Sequence, residues 1–166
     1  MKFKLLILLS AFFFISLNLY PQVKNKIKEV TVTLPSFDPS RNASKDIKDA
    51  IAEAGKTNKR IYVDVGGEWC IWCHRIDQFY ETHKDLYSYL QKHYVFVKIN
   101  YSKENKNEKV LSKYPKINGN PHVFILDKQG KLLKSKDTGE LEKGKGYDYN
   151  KFKIFLRKWS NTSHKI

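Results

Sequence analysis

Cysteine is nearly missing from this chain, with only Cys70 and Cys73 in 166 residues. Two thiols cannot staple a disulfide-dense secreted scaffold, nor supply a four-cysteine zinc site within one chain. Arginine is almost as scarce, with four residues against 27 lysines. The lysines are scattered and often alternate with acids, as in Lys45-Asp46 and Lys48-Asp49. Dispersed lysine without arginine clusters and interleaved aromatics argues against a nucleic-acid partner, even at a formal net charge of +14. The charge leaves a mild preference for acidic partners or an anionic membrane surface. No segment repeats. What is present suffices for a core, at 41% hydrophobic and 14% aromatic residues. The length suits one ordinary domain plus something small.

The one long uncharged run lies at the amino terminus. The first four residues carry two lysines and no acid, and residues 5–20 read LLILLSAFFFISLNLY. A basic start before a short apolar stretch is the pattern of an export signal, and the stretch is shorter than the about 20 residues of a spanning helix. Residues 1–21 are therefore expected to be a signal peptide, or an uncleaved anchor, because no clear small-x-small site precedes Pro21. No cysteine follows the run, which excludes lipoprotein attachment. Either reading places the rest outside the cytoplasm, in the periplasm or cell envelope or secreted, with membrane contact only if the segment is retained.

Residues 22–42 read as an extension containing a short edge strand at 30–34, where Val-Thr-Val-Thr-Leu alternates. Residues 43–160 read as the main domain and 161–166 as a polar tail. Ile47, Ala50, Ile51 and Ala54 recur at helical spacing over 43–56, with Asn42 or Ser44 as cap and Gly55 near the end. Residues 60–65 (RIYVDV) form a strand that Gly66-Gly67 breaks. Helices are expected over 70–83 and 84–93, a doubly buried strand over 94–100 (YVFVKIN), and a short helix over 109–114. A strand over 121–127 turns through Lys128-Gln129-Gly130 into another over 131–135, making an antiparallel hairpin. Residues 137–146 read as a loop. Asp148 caps a last helix carrying Phe152, Phe155, Leu156 and Trp159 at i, i+3, i+4 and i+7. The order β-α-β-α-β-α-β-β-α implies an α/β domain, a mixed central sheet with helices on both faces.

The chemistry lies in Asp64-Val65-Gly66-Gly67-Glu68-Trp69-Cys70-Ile71-Trp72-Cys73-His74. Two cysteines separated by two residues, after a strand and at a helix start, form a redox dithiol. The helix amino terminus offers unpaired N–H groups and the positive end of a dipole, which stabilise a thiolate at Cys70. Standing at the exposed tip, Cys70 is the expected nucleophile. Cys73, one turn later and deeper, is placed to resolve a mixed disulfide.

This segment resembles the thioredoxin superfamily, whose members carry a Val-Asp-Phe strand before Trp-Cys-x-x-Cys. Asp64 stands six residues before Cys70, at the spacing of that family's buried aspartate, and Ile117-Asn118-Gly119-Asn120-Pro121 fits its cis-proline loop. The WCxWC form, with Asp85-Leu86 and FVKIN, is most similar to exported thioredoxin-like domains, such as the carboxy-terminal domain of the transmembrane disulfide reductase. The resemblance covers roughly residues 46–159. It implies a thioredoxin-like fold in which Asp64 is a buried carboxyl of raised pKa exchanging protons with Cys73. It also implies that Pro121 packs against the dithiol and that the Asn120 backbone pairs with an extended substrate. Trp69 and Trp72 then join Asn120 and Pro121 as substrate contacts. The chain departs from the family at Trp72, where proline or histidine is common, and at His74, where lysine is. Asn120 is an unusual polar residue before the proline, and Gly66 replaces a family tryptophan, which loosens the packing beside the site.

The expectation is an exported thiol–disulfide oxidoreductase, leaning to reductase, with Cys70, Cys73 and Asp64 catalytic. Its partners are protein thiols and disulfides and a dithiol protein that supplies electrons; it needs no organic cofactor or metal and acts as a monomer. Competing readings are a non-catalytic thioredoxin-fold binding module of an envelope complex, a structural disulfide, and half a zinc site completed by two of His74, His83, His93 and His122. The three-residue separation makes a purely structural bridge a weak staple, and the histidines show no paired spacing.

Overall fold

A computed structural model describes residues 30–161. The signal or anchor at 1–21, the start of the extension and the end of the polar tail lie outside the described residues. Among the described residues no helix is long and apolar enough to cross a membrane.

The elements in order are α1 (Ala43–Thr57), β1 (Arg60–Gly66), α2 (Ile71–Thr82), α3 (Lys84–His93), β2 (Tyr94–Asn100), α4 (Glu108–Leu111), β3 (His122–Leu126), β4 (Leu132–Asp137), a 3-10 turn (Thr138–Leu141), β5 (Glu142–Lys143), β6 (Gly146–Tyr147) and α5 (Tyr149–Trp159). Asn42 caps α1, accepting the Lys45 N–H at 3.1 Å, and Asp148 caps α5. The main sheet runs β2-β1-β3-β4. β1 pairs in parallel with β2 and antiparallel with β3, and β3–β4 is the expected hairpin.

Strands β1, β2 and β3 alternate between two unlike cores. Ile61, Val63, Val65, Val95, Val97, Ile99, Phe124 and Leu126 face α1 in a mainly aliphatic cluster. Tyr62, Tyr94, Val123 and Ile125 face α2, α3 and α5, where Tyr80, Tyr87, Phe79, Phe152 and Tyr147 gather. Asp64 and Lys98 are register partners on β1 and β2. By strand parity both point to the aromatic side.

Two expectations need correcting. Residues 30–34 form no strand, so among the described residues the first element is a helix and β2 is an outer strand of the sheet. The side-chain alternation is present, with Val30, Val32 and Leu34 packed on the aromatic core. The backbone polar groups of Thr33, however, are taken by one side chain: the Tyr87 hydroxyl accepts the Thr33 N–H at 3.2 Å and donates to its carbonyl at 2.8 Å. Residues 137–146 are likewise more than a loop, containing the 3-10 turn and the small β5–β6 hairpin, whose Tyr147 enters the aromatic core.

Candidate active site

The site grows from the carboxyl end of β1. Gly66 closes the strand, a turn follows in which the Cys70 N–H bonds Gly67 O at 2.9 Å, and Cys70 becomes the N-cap of α2. Its sulfur accepts the Cys73 N–H at 3.2 Å, which that donor shares with the Cys70 carbonyl at 3.0 Å, so the first turn of the helix aims an N–H at the sulfur. Cys70 and Cys73 are joined as a disulfide with Cα atoms 5.2 Å apart.

Cys70 is less open than its place at a helix tip suggests. It keeps 4% exposure and Cys73 none, whereas the flanking Trp69 and Ile71 are each 60% exposed. The asymmetry runs in the expected direction but is shallow, because the turn folds Cys70 inward between two apolar side chains.

Asp64 is fully buried in a strand paired on both sides, not on a sheet edge. Neither carboxyl oxygen has a hydrogen-bond partner. Burial raises its pKa to about 7, against the opposing pull of Lys98. The Lys98 ammonium is itself buried and paired with Asp77 of α2, at 2.7 and 2.6 Å to the two oxygens. Burial raises the Asp77 pKa more than this pairing lowers it. Sequence reasoning missed both Lys98 and Asp77. The available signal was a lysine inside an otherwise apolar strand, at a position whose parity matches that of Asp64.

The remaining candidates are placed unequally. Trp72 packs against the disulfide, with Arg75 4.2 Å over its ring and Tyr147 edge-on at 5.6 Å. Trp69 turns outward and donates its indole N–H to Tyr101 O at 2.8 Å. The Asn120–Pro121 bond is cis. Pro121 follows directly from the Val65↔His122 pair and so stands level with Gly66; its carbonyl accepts the Thr138 hydroxyl at 2.6 Å. Asn120 is half-buried with Oδ1 unpartnered.

The packing beside Gly66 is tight, contrary to expectation. A Cβ at Gly66 would collide with Cys73 Sγ and lie 3.1 Å from the Phe37 ring. The extension therefore supplies an aromatic ring where the strand has no side chain. Phe37 is 1% exposed and clusters with both cysteines.

The histidines offered as zinc ligands are dispersed. His74 is exposed, with Nε2 2.8 Å from Glu68 O, and the buried His122 has Nε2 2.7 Å from Ser135 Oγ. His83 stacks edge-on with Phe79, and His93 packs on Tyr89. Among the described residues no three His, Cys, Asp or Glu side chains converge as a metal site.

A family model described as a thioredoxin-like domain matches residues 47–145. No curated protein matches the chain significantly. The fold is similar to the disulphide isomerase from Xylella fastidiosa Temecula1, at 25% identity and TM-score 0.65, covering 77% of this chain and 98% of that one. It is also similar to the oxidised C-terminal domain of Neisseria meningitidis DsbD, at 18% identity and TM-score 0.51, covering 70% and 95%. The oxidoreductase DsbH is similar at 19% identity and TM-score 0.50, covering 79% and 94%. The last two likenesses speak for the fold alone. With a disulfide capping the helix that follows a strand bearing a buried aspartate, and a domain match spanning most of the chain, this protein belongs to the thioredoxin-like family of thiol–disulfide oxidoreductases.

Proposed function

We propose that the protein is an exported oxidoreductase that exchanges its Cys70–Cys73 pair with disulfides of protein partners, working mainly as a reductase. The observation that carries this is the Cys70 sulfur at the N-cap of α2, bonded to Cys73 one turn on. In the reduced form the Cys70 thiolate attacks one sulfur of a partner disulfide, forming a mixed disulfide and expelling a partner thiolate. Cys73, deprotonated with Asp64 as the acceptor, then attacks Cys70 Sγ, closes the intramolecular disulfide and releases the second partner thiol. Two electrons pass to the partner, and a dithiol protein restores the pair.

Trp69, Trp72 and Asn120 form the surface offered to the partner, whose extended backbone pairs beside the buried cis-proline Pro121. The reductase lean rests on Asp64, a carboxyl still able to hold or accept a proton near neutrality. Export is supported by the amino-terminal pattern, a basic start before a short apolar run.

The test is reduction of insulin disulfides with dithiothreitol as donor, beside equilibration of the pair against a glutathione series. Wild-type protein is expected to turn over and to show a strongly negative potential. Cys70→Ser is expected to lose at least about a hundredfold in rate. Absence of a reversible couple overturns the enzymatic reading in favour of a binding module. Amino-terminal sequencing of material from the envelope fraction tests export, and an intact Met1 in the cytosolic fraction overturns it.

A further inference from the structure

We propose that Phe37, carried by the extension outside the matched domain, is a positioning residue of the redox pair that closes its inner face against water. This rests on the reading of the two cysteines as a working couple. Three observations carry it. The ring occupies the space beside Gly66 and Cys73 that a side chain at residue 66 would need. The same ring lies 4.3 Å under the Lys98 ammonium, so it covers the buried cation of the Lys98–Asp77 pair as well as the sulfur. The segment is fastened on both sides of the ring: the Phe37 N–H donates to Glu68 Oε1 at 2.7 Å, and Asn105 donates to Pro39 O at 2.8 Å. Glu68 lies two residues before Cys70, so the latch is built into the redox turn itself.

A group sealed this way meets a low dielectric, and opening the seal rehydrates it. Asp64 faces Lys98 from β2, Asp77 and Tyr80 from α2, Tyr147 from β6 and its β1 neighbour Tyr62. None of these groups belongs to the extension. Removing the ring therefore changes solvent access beside the sulfur and leaves this set of charges in place.

The test uses the full chain with Cys70→Ser, so that Cys73 is the one thiol, and follows its alkylation by iodoacetamide from mildly acidic to alkaline pH. Phe37→Ala is expected to raise the rate about tenfold and to move the midpoint of the profile to lower pH, because a buried thiol resists ionisation. Phe37→Leu, which keeps an apolar cover, is expected to restore both. Unchanged rate and midpoint in a folded Phe37→Ala protein overturn the proposal. Should Phe37→Ala fail to fold, the latch decides. Glu68→Ala loses the acceptor for the Phe37 N–H and is expected to alkylate faster than Glu68→Gln, which keeps it; equal rates overturn the proposal. Alkylation needs no turnover, so a wild-type protein inactive on insulin defeats the enzymatic reading without altering this measurement.

Discussion

The two faces of the central sheet are built from the same three strands and differ in kind. One is aliphatic, formed by Ile61, Val63, Val65, Val95, Val97 and Ile99 against α1. The other is rich in tyrosine and carries Asp64 and Lys98. Valine and isoleucine fill space and offer nothing to a polar neighbour, so that face specifies packing alone. The aromatic face carries the Lys98 ammonium, which opposes the upward push of burial on the Asp64 carboxyl and leaves it titrating at about 7. Adjacent residues on β1 thus serve different ends, and the redox site sits where the second kind of core comes to the surface.

Moving a carboxyl across the sheet is the most severe challenge to this contrast. Val63→Asp is expected to cost more than about 4 kcal/mol at neutral pH and to abolish the folded circular dichroism spectrum. A folded Val63→Asp protein would show that the aliphatic face tolerates charge as well as its opposite.

Asp64→Asn sharpens the same point. A carboxyl with pKa 3.8 in the unfolded chain and about 7 in the native state is protonated in the native state and ionised in the unfolded one between those values. Stability therefore falls as pH rises through that window, by up to about 4 kcal/mol at about 1.4 kcal/mol per pKa unit. The asparagine variant is expected to be more stable than wild type by up to that amount above pH 7, measured by urea unfolding, with the difference vanishing under acidic conditions. The same variant is expected to lose about a hundredfold in insulin reduction. Equal stability at all pH values would mean that Asp64 is solvated.

The smallest effect tests the hydroxyls. Tyr62 and Tyr80 meet at 3.5 Å, a long contact. Tyr62→Phe is expected to change stability by less than about 1 kcal/mol. A larger loss in urea unfolding would show that the aromatic face depends on this polar network rather than on packing.

These outcomes also mark what could be read from the chain alone. The dithiol, the spacing of Asp64 and the helices with their caps were legible because each is a local pattern. Phe37 was not, because its contact with Cys73 joins distant segments and leaves no periodic trace; the one hint was a glycine where bulk was needed. The misread strand at 30–34 has another cause. Alternating burial records where side chains point, and it persists here although Tyr87, rather than a neighbouring strand, satisfies the Thr33 backbone. β5 and β6, at two residues each, are shorter than any pattern can register.

The route of the extension has a mechanical consequence. The chain is gripped at Thr33, beside the start of β2, and four residues later delivers an aromatic ring to the sulfurs at the far end of the same strands. Held at Thr33 by Tyr87 and at Phe37 by Glu68, this short span works as a strut whose length sets how firmly the ring presses on the underside of the disulfide.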